Sequence, residues 1–199
     1  MTILNKKIVL SLMGVDGSGK TTLAKELNKI LIKSRYLHLK PYILFKDKRT
    51  IIKNPHSNKK SSFIFSLTRL LSWLISYKIF FFKNKSFNFF IFDRYAHDIL
   101  IDPLRYKHNL PNILTKFLLS LFPAPNLWIF LNPSLKIILS RKNELPIYEL
   151  RRQIKKYKIF FSKSKNVLRL NTNIEKKKLI KKIEKKINNL LKKNAKKKS

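Results

Sequence analysis

Short apolar runs recur along the chain, each bounded by polar or turn-forming residues. Ile8-Val9-Leu10-Ser11-Leu12-Met13, Phe87 through Phe92 and Leu127-Trp128-Ile129-Phe130-Leu131 are almost wholly apolar, as strands buried on both faces are. Tyr36-Leu37-His38-Leu39-Lys40 reads as a shorter strand ended by Pro41, and Val167-Leu168-Arg169-Leu170 as the last one. Between the strands the apolar period becomes helical. Leu23, Leu27, Ile30 and Leu31 share one face, and residues 113–122 form an apolar helix closed by Pro123-Ala124-Pro125. A helix from Leu135 into Arg141 is broken at 140–146 and resumes over 149–157. Leu179, Ile180, Ile183, Ile187, Leu190 and Leu191 then make the stripe of a terminal amphipathic helix. Strands alternating with helices predict an α/β fold with a parallel sheet wrapped on both faces. No repeat and no long linker divides the chain, so residues 1–191 read as one domain. Residues 192–199 read as a basic disordered tail.

Residues 62–82 form a long apolar helix. A membrane span is not expected there, because Arg69 and Lys78 interrupt the run. Ser62, Ser66, Arg69, Trp73 and Ser76 fall on one stripe, with Ile64, Leu67, Leu71 and Leu74 opposite. A polar stripe on a mostly buried helix predicts a wall facing a ligand cavity. The preceding residues 45–61 are polar and read as a surface loop.

The first strand leads directly into Gly14-Val15-Asp16-Gly17-Ser18-Gly19-Lys20-Thr21, with Thr22 behind it. This is G-x-x-x-x-G-K-[ST], in the strand–loop–helix setting that a phosphate-binding P-loop requires. Its glycines let consecutive N–H groups turn inward to phosphate oxygens, and the following helix adds its positive end. Lys20 is expected to reach the β- and γ-phosphates of ATP, and the Thr21 hydroxyl to ligate Mg²⁺. Gly14, Gly17 and Gly19 are the chain's only three glycines. In a chain so poor in glycine, that placement makes a chance turn a weak alternative.

Other candidates lie downstream. Asp93 ends a buried strand, at the crevice where open α/β sheets bind ligands, and can reach the Mg²⁺ held by Thr21. Arg94 beside it can neutralise the transferred phosphate. Asp98 and Asp102, four apart, would share a helix face. Arg141, Arg151 and Arg152 sit on the broken helical pair over about 140–157, which reads as a lid closing on phosphates, since the guanidinium fork binds phosphate oxygens bidentately.

Composition narrows the classes. The chain has 199 residues, 44% of them hydrophobic, which is enough for a real core. It has no cysteine, which excludes disulfides and cysteine-ligated zinc and is compatible with a reducing cytoplasm. Its four histidines are scattered without ligand-like spacing. The lysines ahead of the first run do not read as an export signal: the run is short, lacks a small-residue cleavage site and flows into the P-loop. The net charge of +35 raises the class of nucleotide-dependent proteins that bind RNA or an acidic membrane surface. The lysines are dispersed rather than gathered in a stripe, in a chain rich in Asn, Ile and Phe throughout. Compositional drift accounts for that pattern, and nucleic acid is not expected as a partner.

The P-loop, Asp93-Arg94-Tyr95 and an arginine-bearing segment, in this order, resemble the thymidylate kinase family over roughly residues 6–190. The resemblance implies a P-loop NTPase three-layer sandwich with a five-stranded parallel sheet and a small helical lid. It also implies ATP with Mg²⁺ as donor and a nucleoside monophosphate such as dTMP as acceptor. It places Asp16 toward the acceptor's sugar and Arg94 and Arg69 on phosphate; Tyr95 and Asp98, the latter read as a hydroxyl-binding or metal candidate, are counted with them as acceptor-binding residues. Gly17, where some members carry an arginine, matches bacterial-type members whose lid supplies it, with Arg141 the leading candidate. The chain lacks an Arg-Glu-Pro-Gly-Gly segment after the second strand, and Met13 stands where many members have Glu. Asp93-Arg94-Tyr95-x-x-Asp98-x-x-x-Asp102-Pro103-x-Arg105-Tyr106 and Arg141-Lys142-x-Glu144-Leu145-Pro146 resemble thymidylate kinase-like proteins of bacterial polysaccharide-biosynthesis clusters. For those a sugar or lipid-linked hydroxyl is the alternative acceptor. It would need a carboxylate base, with Asp16 and Asp98 the candidates. A homodimer stays open.

Overall fold

A computed structural model of the chain describes residues 7–41, 61–141 and 145–196. Most of the polar loop expected over 45–61, together with Lys142 and Glu144 of the lid, lies outside them. Five parallel strands form one sheet in the order β2-β3-β1-β4-β5: β1 (Ile8–Met13), β2 (Ser34–His38), β3 (Phe89–Asp93), β4 (Leu127–Leu131) and β5 (Val167–Leu170). Strand β1 is central, with Ser11 paired to Phe92 of β3 on one side and to Trp128 of β4 on the other. The carboxyl end of β1 is therefore the topological switch point, where such sheets open a crevice for ligands.

Alternation along the strands splits the core by chemistry. Ile8, Leu10, Leu12, Ile91, Ile129 and Leu131 face α1 (Lys20–Ile30) and α6 (Lys176–Lys196), which contribute Leu23, Leu27, Ile183 and Ile187. That layer is aliphatic. On the other face Phe90, Phe92, Trp128 and Phe130 meet α2 (Phe63–Lys83), α3 (Asn112–Ser120) and α5 (Ile147–Ser162). This layer is aromatic, with Tyr77 stacked on Phe92 at 5.3 Å and Phe130 on Phe161 at 4.8 Å between centroids. Offset and edge-on ring pairs of this kind add to the burial of their area. The remaining helix, α4 (Leu135–Arg141), leads toward the P-loop side of the sheet.

Three expectations are corrected. The terminal helix runs to Lys196, into the stretch read as a disordered tail. On α2, Ile64 and Leu71 of the face opposite the polar stripe are exposed and Leu74 is buried, while Ser66, Trp73 and Ser76 of the polar stripe are themselves buried. The helix is apolar nearly all round, so tertiary hydrogen bonds choose its face: Ser66 Oγ accepts from the Asn109 backbone N–H at 3.0 Å, and Trp73 packs edge-on against Tyr106. That polar stripe faces the 106–109 segment, and none of it lines the P-loop cavity. Third, the turn that carries Asp98 is a short 3₁₀ helix (Ala96–Leu100) with Asp102 just beyond it, rather than a regular helix, and the Asp102 N–H donates to the Asp98 carbonyl at 3.0 Å. By length and hydropathy alone α2 could cross a membrane; here it buries Leu70, Trp73, Tyr77 and Phe80 in the core.

Candidate active site

The P-loop rims a cavity of about 780 Å³. Residues 16–22 line it with His38 at the end of β2, Asp93 and Arg94 at the end of β3, Arg105, Arg141, and Thr172, Ile174, Lys176 and Leu179 from the β5–α6 corner. Because β3 and β5 lie on opposite sides of β1 in the sheet, Arg94 and Arg105 stand at one end of this cavity and the β5–α6 corner at the other.

The loop's backbone explains its glycines. Gly14 has φ +152°, and a Cβ there would meet the Leu131 carbonyl oxygen at 2.5 Å and Ser18 Oγ at 2.9 Å. Only glycine lets β1 turn so close to the end of β4. Gly19, at φ +89°, opens α1, and Arg141 Nη1 would lie 3.8 Å from a Cβ there. Of Arg141, Arg151 and Arg152, Arg141 is the one whose side chain lies beside the P-loop. Lys20 folds back over the loop, donating to the Val15 carbonyl at 2.7 Å. Burial, and then the nearby Arg94 cation, lower its pKa to about 7.

Thr21 and Asp93 meet as expected: Thr21 Oγ1 donates to Asp93 Oδ2 at 2.5 Å. Tyr36 also donates to Oδ2, at 3.2 Å, and His38 Nδ1 lies 3.4 Å from it. Burial raises the Asp93 pKa, but hydrogen bonds from His38 and Thr21 and the charge of Lys20 outweigh it, so the group is held below the usual value. Its other oxygen, Oδ1, is buried with no hydrogen-bond partner among the described residues. A buried, ionised carboxylate oxygen without a partner is costly, and a hard cation beside the hydroxyl would satisfy it. Among the described residues there is no group of three or more His, Cys, Asp or Glu that could cage a metal. One carboxylate and one hydroxyl completed by phosphate oxygens and water suit Mg²⁺. Thr21 and Asp93 are the residues that would hold such an ion, which would supply charge neutralisation to a bound nucleotide's phosphates.

Arg94 has φ +74°, a left-handed conformation that costs a non-glycine residue about 1–3 kcal/mol and gathers at functional sites. Its N–H still donates to the Leu12 carbonyl at 2.9 Å, as if the strand continued, while the buried side chain turns into the cavity. There Nη1 donates to Asp98 Oδ2 at 2.5 Å and Nη2 to Asp16 Oδ1. Asp98 is fully buried and also accepts from Tyr106 at 2.8 Å and from Tyr157. Burial and the Asp98 charge push both phenols well above their usual pKa, so they remain donors. Asp16 accepts a second guanidinium through Oδ2, that of Arg105. Burial raises the Asp16 pKa, and Arg94, Arg105 and Lys20 more than reverse it, holding the carboxyl well below the carboxylate range.

Several expected site residues lie elsewhere. Tyr95 is a core residue, buried and donating to the Pro123 carbonyl. Arg69 lies on α2 outside the cavity, its guanidinium 4.8 Å from the Phe65 ring centroid. Arg151 is exposed on α5, and Arg152 pairs with Glu149, Nε to Oε2 at 2.6 Å. Neither lines the cavity. Sequence reasoning passed over Arg105, His38 and the β5–α6 corner as site residues. The Asp102-Pro103-x-Arg105 segment was the available sign for the first.

No protein-family model matches the chain, and no curated protein matches it. Solved structures do. The chain is similar to thymidylate kinase from Candida albicans, at 20% identity over 92% of each chain and a TM-score of 0.63. It is also similar to deoxyadenosine kinase from M. mycoides with bound dATP, at 17% identity over 91% of this chain and 99% of that one, TM-score 0.61. The same kinase with bound dCTP gives 18% identity, 92% and 100% coverage, and a TM-score of 0.62. The chain has the P-loop α/β fold of these nucleotide and deoxynucleoside kinases, as the sequence resemblance implied.

Proposed function

We propose that the chain is an ATP-dependent kinase that transfers the γ-phosphoryl group to a small acceptor, in the manner of thymidylate kinase, with a nucleoside monophosphate such as dTMP giving the diphosphate. The observation that carries this reading is the joint placement of the P-loop, the Thr21–Asp93 pair with its unpartnered Oδ1, and Arg94 around one cavity. Phosphoryl transfer asks a protein chiefly for positioning and charge neutralisation. The loop amides and Lys20 would hold the donor phosphates, Thr21 and Asp93 the Mg²⁺, and Arg94 and Arg141 the charge on the group in flight. The β5–α6 corner, where Thr172 Oγ1 is buried without a partner among the described residues, would receive the nucleoside.

The engaged carboxylates favour an anionic acceptor over a hydroxyl. A hydroxyl needs a base. Asp98 already accepts from three donors, and Asp16 is bound by two arginines that weaken it as a base.

The direct test is ADP release from Mg-ATP by the purified chain with dTMP, the other nucleoside monophosphates, the nucleosides and simple sugars. Turnover with a monophosphate, silenced by Lys20→Ala, is expected. Tight ATP binding with turnover only on a sugar or nucleoside would replace the acceptor, and absence of ATP binding would end the kinase reading.

A further inference from the structure

The two arginines at the β3 end of the cavity are each backed by a private carboxylate. Behind Arg94 stands Asp98, fully buried and fixed by two tyrosine hydroxyls. Behind Arg105 stands Asp102, which accepts from Arg105 Nε and from Gln153 Nε2, at 3.1 and 3.2 Å. These contacts leave Nη2 of each guanidinium to turn toward the cavity. Both of those nitrogens converge on Asp16, one on each carboxylate oxygen. Asp16 is the exposed member of the network, with 17% of its side chain accessible against 0% for Asp98 and 3% for Asp102.

A carboxylate bridging two guanidiniums, one oxygen to each, has the shape and charge of a bound oxyanion. It also closes the site on itself. If Asp16 withdrew, Arg94 and Arg105 would each keep a counter-charge behind them and an oriented N–H in front. Asp98 spares the buried Arg94, and Asp102 the half-buried Arg105, the cost of an unpaired charge, and the two carboxylates hold the forks in place.

We infer that Arg94 and Arg105 form the receptor for the acceptor's own phosphate, and that Asp16 occupies that receptor in the unliganded chain and is displaced by the incoming phosphomonoester. This deepens the kinase reading, on which it rests, by committing it to a phosphate-bearing acceptor and by making Arg105 the residue that selects for it. The chemistry then balances without a base. An oxygen of the acceptor's dianionic phosphate bonds to the γ-phosphorus of ATP, and the bond from that phosphorus to the β,γ-bridging oxygen breaks. The electron pair leaves with ADP, and no proton has to move. Arg105 binds the acceptor and Arg94 touches both phosphates.

The test separates the two sites with inorganic phosphate as probe. Thermal unfolding is followed with Mg²⁺ and the non-hydrolysable analogue AMP-PNP filling the P-loop, while phosphate is titrated against sodium chloride at matched ionic strength. A saturable rise in Tm with phosphate on top of the AMP-PNP shift is expected for the native chain. Arg105→Gln is expected to abolish it and Arg105→Lys to weaken it, with the AMP-PNP shift in each variant reporting that the fold persists. In turnover, Arg105→Gln is expected to raise the KM for dTMP about 10–100-fold, the worth of a charge-assisted hydrogen bond, and to leave the KM for ATP within about 2-fold. A phosphate response that is absent, or equal in Arg105→Gln, overturns the receptor, as does turnover of thymidine in preference to dTMP. If AMP-PNP gives no shift, the kinase reading fails by itself. The receptor is then still judged by whether the phosphate response depends on Arg105 or only on Lys20, the second result overturning it.

Discussion

Asp98 looks catalytic in the sequence, because a carboxylate five residues past a strand-end Asp suits a general base. In the folded chain it is the anchor of Arg94. Removing it leaves a guanidinium buried to 5% exposure without its near partner, and breaking a buried pair in this way costs about 3–5 kcal/mol. Asp98→Asn is therefore expected to lose that much stability by urea unfolding, and to lose activity through Arg94 rather than through a missing base. A variant of full stability and altered pH profile would contradict this. Asp93 behaves differently. Its carboxylate is held ionised by His38, Thr21 and Lys20 although Oδ1 has no partner among the described residues, so Asp93→Asn is expected to lose some stability, but less than Asp98→Asn, while weakening Mg²⁺ activation about 10–100-fold. A Mg²⁺ titration of turnover reads the second effect, and urea the first.

At the scale of elements, the loop after β1 is bound to its neighbours by space rather than by side chains. Gly14→Ala would push a methyl into the Leu131 carbonyl at 2.5 Å, while Gly19→Ala meets nothing nearer than a flexible arginine and carries mainly the left-handed penalty. The expected losses are at least about 2 kcal/mol for Gly14→Ala and about 1 kcal/mol for Gly19→Ala, measured by denaturant unfolding; the reverse order would contradict the packing. The 3₁₀ turn after β3 carries a second element-scale prediction. His97 packs among Tyr95, Trp128 and Phe160, with Nδ1 buried and unpartnered among the described residues. Burial lowers its pKa to about 4. The unfolded chain therefore binds the proton more readily, so stability is full above about pH 6.5 and is lost as pH falls toward 4. That loss is worth roughly 3 kcal/mol, and His97→Phe, which keeps the ring contacts, is expected to remove it between pH 7 and 4.5. These elements also mark what could be read from the chain beforehand. The buried strands were legible because apolar runs have one solution in a parallel sheet, and the P-loop because its glycines stand at the spacing a phosphate-binding turn requires between a strand and a helix. The edge strand β2 was read two residues late, since its alternating half-exposed pattern (buried only at Leu37) sets no sharp limit. The polar stripe of α2 does not line the cavity because its serine and tryptophan are taken up by the 106–109 segment, a tertiary contact that spacing does not report. Tyr95 and Arg69 were misplaced as site residues because motif position does not report side-chain direction, and Arg105 was missed because its role comes from meeting Asp16 across 89 residues of chain.

Over the whole molecule the charges are divided unevenly between surface and site. The chain has ten acidic residues against 45 lysines and arginines, and Asp16, Asp93, Asp98 and Asp102 all belong to the cavity or to the arginines behind it. Drift in composition can multiply surface lysines at little cost. Each of these four carboxylates answers a cation, a hydroxyl or a metal position. The outer surface is left with few counter-charges, and its lysines repel one another in the folded state more than in the expanded chain. Salt screens that repulsion, with a Debye length near ~10 Å at 0.1 M. Raising sodium chloride from about 0.05 to 0.5 M is therefore expected to raise Tm by a few degrees, the effect of roughly 1 kcal/mol in a domain of this size. A surface stabilised by ion pairs would show the opposite sign. The buried network at Asp16 should respond little, because pairs out of water are poorly screened. A Tm that falls with salt would mean that surface lysines are held in favourable pairs, and would return the +35 charge from a by-product of composition to a structural part of the fold.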